Sequence, residues 1–206
     1  MIQESPRTIV LASRSPRRLE LAMREGWKVT VVVPPEEAEA GAPPREAGES
    51  LEDYVCRLAT AKALAAADMG AVGTILACDT LSEVEGVVLG KPLDRDDARR
   101  MLLRLSGREH RVVSGVCLWR PPELALQGKG CGPLTASAES TLSMGPLSDD
   151  FLAWYLESGM WQGKAGACGF QDERLPLQLV SGSPSNVVGL PLELIREMFS
   201  KHFRYL

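Results

Sequence analysis

The N-terminal segment reads Thr8-Ile-Val-Leu-Ala-Ser13-Arg-Ser-Pro-Arg-Arg18. Its apolar run, Ile9 to Ala12, has the unbroken character of a buried strand. Ser15 followed by Pro16 is a helix start, with serine as N-cap and proline at the first helical position. The predicted helix carries Leu19, Ala22 and Met23 on one face and stops at Gly26.

Arg17 and Arg18 fall in the first turn, at the positive end of the helix dipole, where an exposed cation costs about 0.3–1 kcal/mol. The same turn has backbone N–H groups without intrahelical partners. Two guanidinium groups beside those donors form a pocket for an anion, most naturally a phosphate. Solvated surface arginines are the alternative, and position alone leaves both open.

The pattern continues outward. Val29 to Val33 reads as a strand ended by Pro34-Pro35, and Glu36-Glu37 follow, either as metal-holding carboxylates at a strand end or as a solvated loop. Residues 38–48 read as a loop rich in Ala, Gly, Pro and Glu. Ser50 and Asp53 open a second helix in capping-box style. Its apolar stripe is Leu51, Val55, Leu58, Ala65 and Met69, and Lys62 falls on that stripe. Its stem can snorkel to water, or its ammonium can lie in a cleft and meet a phosphate.

Thr74 to Thr80 is a second apolar strand, predicted to end in Asp79. A carboxylate at a strand end commonly faces a ligand site, as general base or metal ligand, although a turn-initiating Asp is also common. A hairpin, Leu81–Val84 with Val87–Leu89, and the sequence Gly90-Lys91-Pro92 come next. A third helix starts at Asp94, buries Ala98, Met101, Leu102 and Leu105, and ends at Gly107. Strands are predicted over 111–119, 135–144 and 177–181. Residues 120–134 are a long hairpin loop, a helix opens at Ser148, and another carries Leu194, Ile195, Met198 and Phe199. Gly163 to Gln171 is glycine-rich but not a P-loop, because Ala165 follows Lys164. The glycines suit a ligand lying against backbone, with Gln171 offering an amide to a base edge. Alternating strands and helices indicate an α/β fold.

Bulk properties narrow the function. The chain has 206 residues, 45% of them hydrophobic, and a formal net charge of −4. General nucleic-acid affinity is not indicated, so any basic site is local. No apolar stretch approaches the roughly 20 residues that span a bilayer, and the first residues lack a signal-peptide layout. Five cysteines without a Cys-x-x-Cys read as reduced thiols in a cytoplasmic protein. With only two histidines, His110 and His202, a zinc site is not expected. A metal here would be a hard ion such as magnesium or manganese.

Taken together, these stretches resemble the Maf family of nucleoside triphosphate pyrophosphatases. The resemblance rests on Leu11 to Arg18, the helix bearing Lys62, Cys78-Asp79-Thr80 and Gly90-Lys91-Pro92. It continues through Leu105-Ser106-Gly107 with His110, Lys164 to Gln171, and Asn186 to Pro191, in the family's order. It covers nearly the whole chain, as one domain over 1–206. It implies an elongated, curved mixed sheet between two lobes, of the Maf/inosine-triphosphatase-like kind, and usually a homodimer. It implies hydrolysis of a nucleoside triphosphate to the monophosphate and pyrophosphate, with a divalent cation, Mg2+ or Mn2+, and no stable nucleic-acid or membrane partner. By the family pattern Asp79 accepts the proton, Ser13, Arg18, Lys62 and Lys91 line the phosphates, and Glu37 with Asp79 holds metal. The branch acting on dTTP and UTP is marked by residues that match Arg17, Thr80 and Gln171.

Cys78, Cys168, Phe170 and Asp172-Glu173-Arg174 depart from the family's usual residues around the base pocket. Two other readings compete with the hydrolase. One is a nucleotidyltransferase, which needs a second substrate. The other is a nucleotide-binding regulator of septum formation, which binds without turnover and has no need of the acid.

Overall fold

The computed structural model describes residues 7–35, 38, 44–121 and 131–202. In chain order it contains β1 (Thr8–Ala12), α1 (Pro16–Arg24), β2 (Lys28–Val32), α2 (Leu51–Asp68), β3 (Thr74–Val84), β4 (Val87–Leu89) and α3 (Arg95–Leu105). Then follow β5 (Glu109–Arg120), β6 (Cys131–Met144), α4 (Asp149–Glu157), a 3-10 turn (Ala165–Ala167), β7 (Leu177–Ser181), α5 (Pro184–Val188) and α6 (Leu192–His202). The seven strands make one mixed sheet in the order β2-β1-β3-β5-β6-β7, with β4 paired to β3 off that path. This is the mixed-sheet α/β class expected from the sequence. Glu36, Glu37, residues 39–43 of the 38–48 loop and residues 122–130 of the 120–134 loop lie outside the described residues, as does the His202 side chain.

Strand alternation builds two layers. On β1, Ile9 and Leu11 join a core with Leu190, Ile195 and Phe199 on one face, while Val10 and Ala12 pack against Ala59, Ala63 and Ala66 of α2 on the other. A further core lies along the sheet, where Val84, Leu89 and Met144 meet Leu102 and Leu105 of α3 and Leu152 and Tyr155 of α4. Strands β3 and β6 run from one core into the other.

β3 is the strand on which the site depends. Its first part pairs in parallel with β1, ending at Ala12 opposite Ala77. On its other edge it pairs antiparallel with β5 from Ile75 to Glu83. β4 takes over the first edge only from Ser82 onward, where Ser82 faces Leu89. Cys78 to Leu81 are therefore bordered by no strand on that side among the described residues. The sequence reading placed a break after Thr80. Instead β3 runs unbroken through eleven residues, because β5 gives it a continuous partner. Asp79 is thus mid-strand, just past the end of the parallel pairing.

Helix α2 reaches the sheet closely because Gly115, opposite Asp79 on β5, has no side chain. A Cβ there would lie 2.3 Å from the carbonyl carbon of Val55 and 2.5 Å from the amide nitrogen of Cys56. Lys62 follows Val55 by two turns, on the same face. The helix caps are as expected: Ser50 accepts from the Asp53 amide, Asp94 from Asp97 and Ser148 from Phe151. Two expected core positions are wrong. Met23 is 62% and Met69 57% exposed, because α1 buries Ala22 and α2 turns its Ala59-Ala63-Ala66 edge inward at its C-terminal half.

Candidate active site

The unpaired edge of β3 opens into a cleft of about 300 Å3. Ser13, Arg17, Arg18, Lys62, Asp79, Thr80, Lys91 and Gln171 all line it. Ser13 enters just after β1 and Lys91 just after β4, from the two ends of the gap. Glu37 lies outside the described residues. The structure also brings in Ser82, His110 and Lys164, and Val187 and Val188 of α5.

Asp79 and Lys62 meet directly. The Lys62 ammonium donates to Asp79 Oδ1 and lies 3.5 Å from the Cys78 carbonyl oxygen. Lys62 is 4% and Asp79 9% exposed, so the lysine does not snorkel. Each charge is buried with the other as its partner, which is what allows either to be buried. Burial pushes the neighbouring Cys78 thiol up to about 11, so it is not a nucleophile at neutral pH.

Arg18 turns inward. Its Nε–H donates to the Gly189 carbonyl at 2.7 Å, an Nη1–H to the Cys78 carbonyl at 2.7 Å, and an Nη2–H to the Thr80 hydroxyl at 3.0 Å. Three of its donors are therefore held by the protein at the cleft wall. Thr80 lies 2.8 Å from the Ser114 hydroxyl, which donates to the Asn186 carbonyl. The single Ser114 proton goes to Asn186, so Thr80 donates to Ser114 while accepting from Arg18. Gly189 adopts φ 106° as the left-handed end of α5, which aims its carbonyl region at the guanidinium. Arg17, one residue earlier, has no hydrogen bond or ion pair among the described residues and stands in the cleft. Ser15 makes no side-chain cap. Its amide instead donates to Ser13 Oγ at 3.1 Å, leaving the α1 terminus without a capping side chain.

His110 is 3% exposed in the cleft wall, and its Nδ1 lacks a hydrogen-bond partner. Burial lowers its pKa to about 4, with the nearby Arg108 backbone opposing the shift. The ring is thus neutral at physiological pH. Residues 163–171 form the opposite wall, tied to the Lys91 segment by the Gly166 amide, which donates to the Gly90 carbonyl at 3.0 Å.

The lining contains one carboxylate among the described residues, Asp79, and no cluster of three or more His, Cys, Asp or Glu there is placed to hold a metal. A single carboxylate suits magnesium-type sites, which use one or two carboxylates and take their other ligands from phosphate oxygens and water.

Sequence reasoning missed α5 and the inward turn of Arg18. Ser183-Pro184 is the same serine–proline helix start that marks α1, and could have revealed α5. No local signal shows where a long guanidinium points.

A cleft with one paired acid among basic groups, beyond the carboxyl end of a parallel strand pair, is that of an α/β protein suited to a polyanionic ligand. The family model described as Maf-like protein matches residues 8–202. The chain belongs to the Maf family. Among curated relatives, the dTTP/UTP pyrophosphatase of Rhodopirellula baltica is 38% identical over 195 residues, covering 94% of this chain and 82% of the relative. That of Symbiobacterium thermophilum is 39% identical, covering 94% and 93%, and that of Pyrococcus abyssi 35%, covering 95% and 97%. Among solved structures, the Staphylococcus aureus Ham1 protein aligns with a TM-score of 0.41 at 15% identity, over 67% of this chain and 72% of that one. That likeness carries no weight for the site.

Proposed function

We propose that this protein is a nucleoside triphosphate pyrophosphatase acting on dTTP and UTP. The observation that supports it most is the buried Lys62–Asp79 pair at the open edge of β3, with Ser13, Arg17, Arg18 and Lys91 around it. The relatives' activity, stated by their names, agrees with this chemistry.

Water attacks the α-phosphorus, the bond from that phosphorus to the bridging oxygen breaks, and pyrophosphate leaves. Asp79 takes the water proton. Lys62, paired with Asp79, gains a phosphate partner when substrate arrives. Ser13, Lys91 and the uncapped α1 terminus meet further phosphate charge. Arg18, held at three points, fixes the wall and offers its remaining N–H groups. A divalent cation bound by Asp79 and phosphate oxygens, with Glu37 as a further expected ligand, would supply charge neutralisation.

Base choice is assigned to Arg17, Thr80 and Gln171. Thr80 contributes through Arg18, since its hydroxyl is turned to that guanidinium and to Ser114. A cytoplasmic homodimer completes the reading, and sedimentation tests the dimer.

The decisive experiment is a nucleotide panel with Mg2+ or Mn2+, reading pyrophosphate and phosphate separately. Pyrophosphate from dTTP and UTP, lost in Asp79→Asn, is expected. Release from a different base overturns the Arg17-Thr80-Gln171 assignment and leaves the reaction standing. Binding without any release overturns the hydrolase.

A further inference from the structure

Asp172 follows Gln171 immediately in the chain. It is the hub of a compact network. Its carboxylate accepts from Lys164 Nζ at 2.5 and 2.6 Å, from the Tyr155 hydroxyl at 2.5 Å and from the Gly169 amide at 3.1 Å. The ion pair is shielded, with side chains 18% and 11% exposed. Tyr155 is fully buried on α4, so the contact anchors the loop to a rigid element. Lys164 begins this loop and Asp172 ends it. Gly169 lies on the lysine stem, where a Cβ would meet Cδ, Cε and Nζ at 3.1 Å. The backbone closes the same ring, because the Asp172 amide donates to the Gly169 carbonyl at 2.9 Å. Phe170 and Gln171, between these ties, both line the cleft.

We propose that Asp172 is a positioning residue for base recognition. By clamping Lys164 and Tyr155 it presents Phe170 and Gln171 in one conformation before the nucleotide arrives. Without the clamp, that wall must be ordered at the expense of binding. The inference rests on the reading that Gln171 meets the base.

The test compares kcat and KM for dTTP, UTP, CTP and GTP in the wild type, Asp172→Asn, Asp172→Glu, Tyr155→Phe and Gln171→Ala, with Tm measured for each. Asp172→Asn should raise KM for dTTP and UTP by about tenfold, change kcat by less than about threefold, and narrow the preference over CTP and GTP. Tyr155→Phe removes one hydrogen bond and should shift the same quantities less, which keeps the test alive if Asp172→Asn folds poorly. Asp172→Glu should recover part of the preference. An unchanged preference in both Asp172→Asn and Tyr155→Phe, with Gln171→Ala altering it, overturns the positioning role alone. An unchanged preference in Gln171→Ala overturns the base reading and the inference with it.

Discussion

The Lys62 ammonium, on α2, and the Asp79 carboxylate, on β3, are hydrogen-bonded to each other where β3 has lost β1 and has not yet gained β4. The pair is both a structural element and the center of the proposed chemistry, and these roles separate by mutation. Asp79→Asn should reduce turnover by about 10²–10⁴-fold. Lys62→Met leaves a buried carboxylate without its partner and should destabilise the fold by about 3–5 kcal/mol. The double variant Lys62→Met/Asp79→Leu should regain most of that stability and stay inactive. Denaturant midpoints and pyrophosphate release measure the two effects. A double variant as unstable as Lys62→Met would show that the site is held by something other than this pair.

Arg18→Lys should not behave as a conservative change. A lysine has the charge but not the fork that reaches Gly189, Cys78 and Thr80 together. A loss of about 2 kcal/mol of stability is expected from the unpaired acceptors, with kcat/KM reduced for every base. Full activity in this variant would assign the wall to other contacts.

Gly115→Ala tests the close approach of α2. The added methyl would sit 2.3 Å from Val55 backbone atoms, so the helix must move outward. A cost of about 3 kcal/mol is expected from overpacking. Activity should fall as well, since Lys62 is carried away from Asp79. A thermal melt and an assay on one preparation suffice.

His110 makes a pH prediction. Burial holds its pKa at about 4, below the roughly 6.5 of an unfolded chain. Between those values the unfolded chain binds the proton and the folded chain does not. Its contribution is fully present above about pH 6.5 and is lost as pH falls towards 4, by about 3 kcal/mol in total. The difference in stability between wild type and His110→Phe, measured from pH 7 to 4, should show this slope. A difference that does not vary with pH would mean the imidazole titrates normally.

Much of this architecture is written locally. The β1 run, the serine–proline start of α1 and the Ser50, Asp94 and Ser148 caps depend on neighbours within a turn, and the structure has them. Lys62 on an apolar stripe was an anomaly whose cleft location the structure shows, although the partner it shows there is Asp79. The failures are non-local. The extent of β3 is set by β5, more than twenty residues later. The exposure of Met23 and Met69 is set by which edge of each helix meets the sheet, and periodicity alone does not rank the edges of an alanine-rich helix. The three acceptors of Arg18 come from distant segments, and no spacing rule relates them.

That last contact has a consequence for how the cleft comes into being. Arg18 and Gly189 are separated by 171 positions, and the guanidinium that joins them also grips the middle of β3. The site therefore has a very high contact order, and its loop closure comes late in assembly. A ribosome-bound chain that has formed β1, α1 and β3 carries Asp79 and Lys62 but has no Gly189 carbonyl with which to complete the wall. Competence to turn over nucleotide should be one of the final properties acquired during synthesis, and enzyme activity in a refolding experiment should lag behind the burial of Trp161 in its own core.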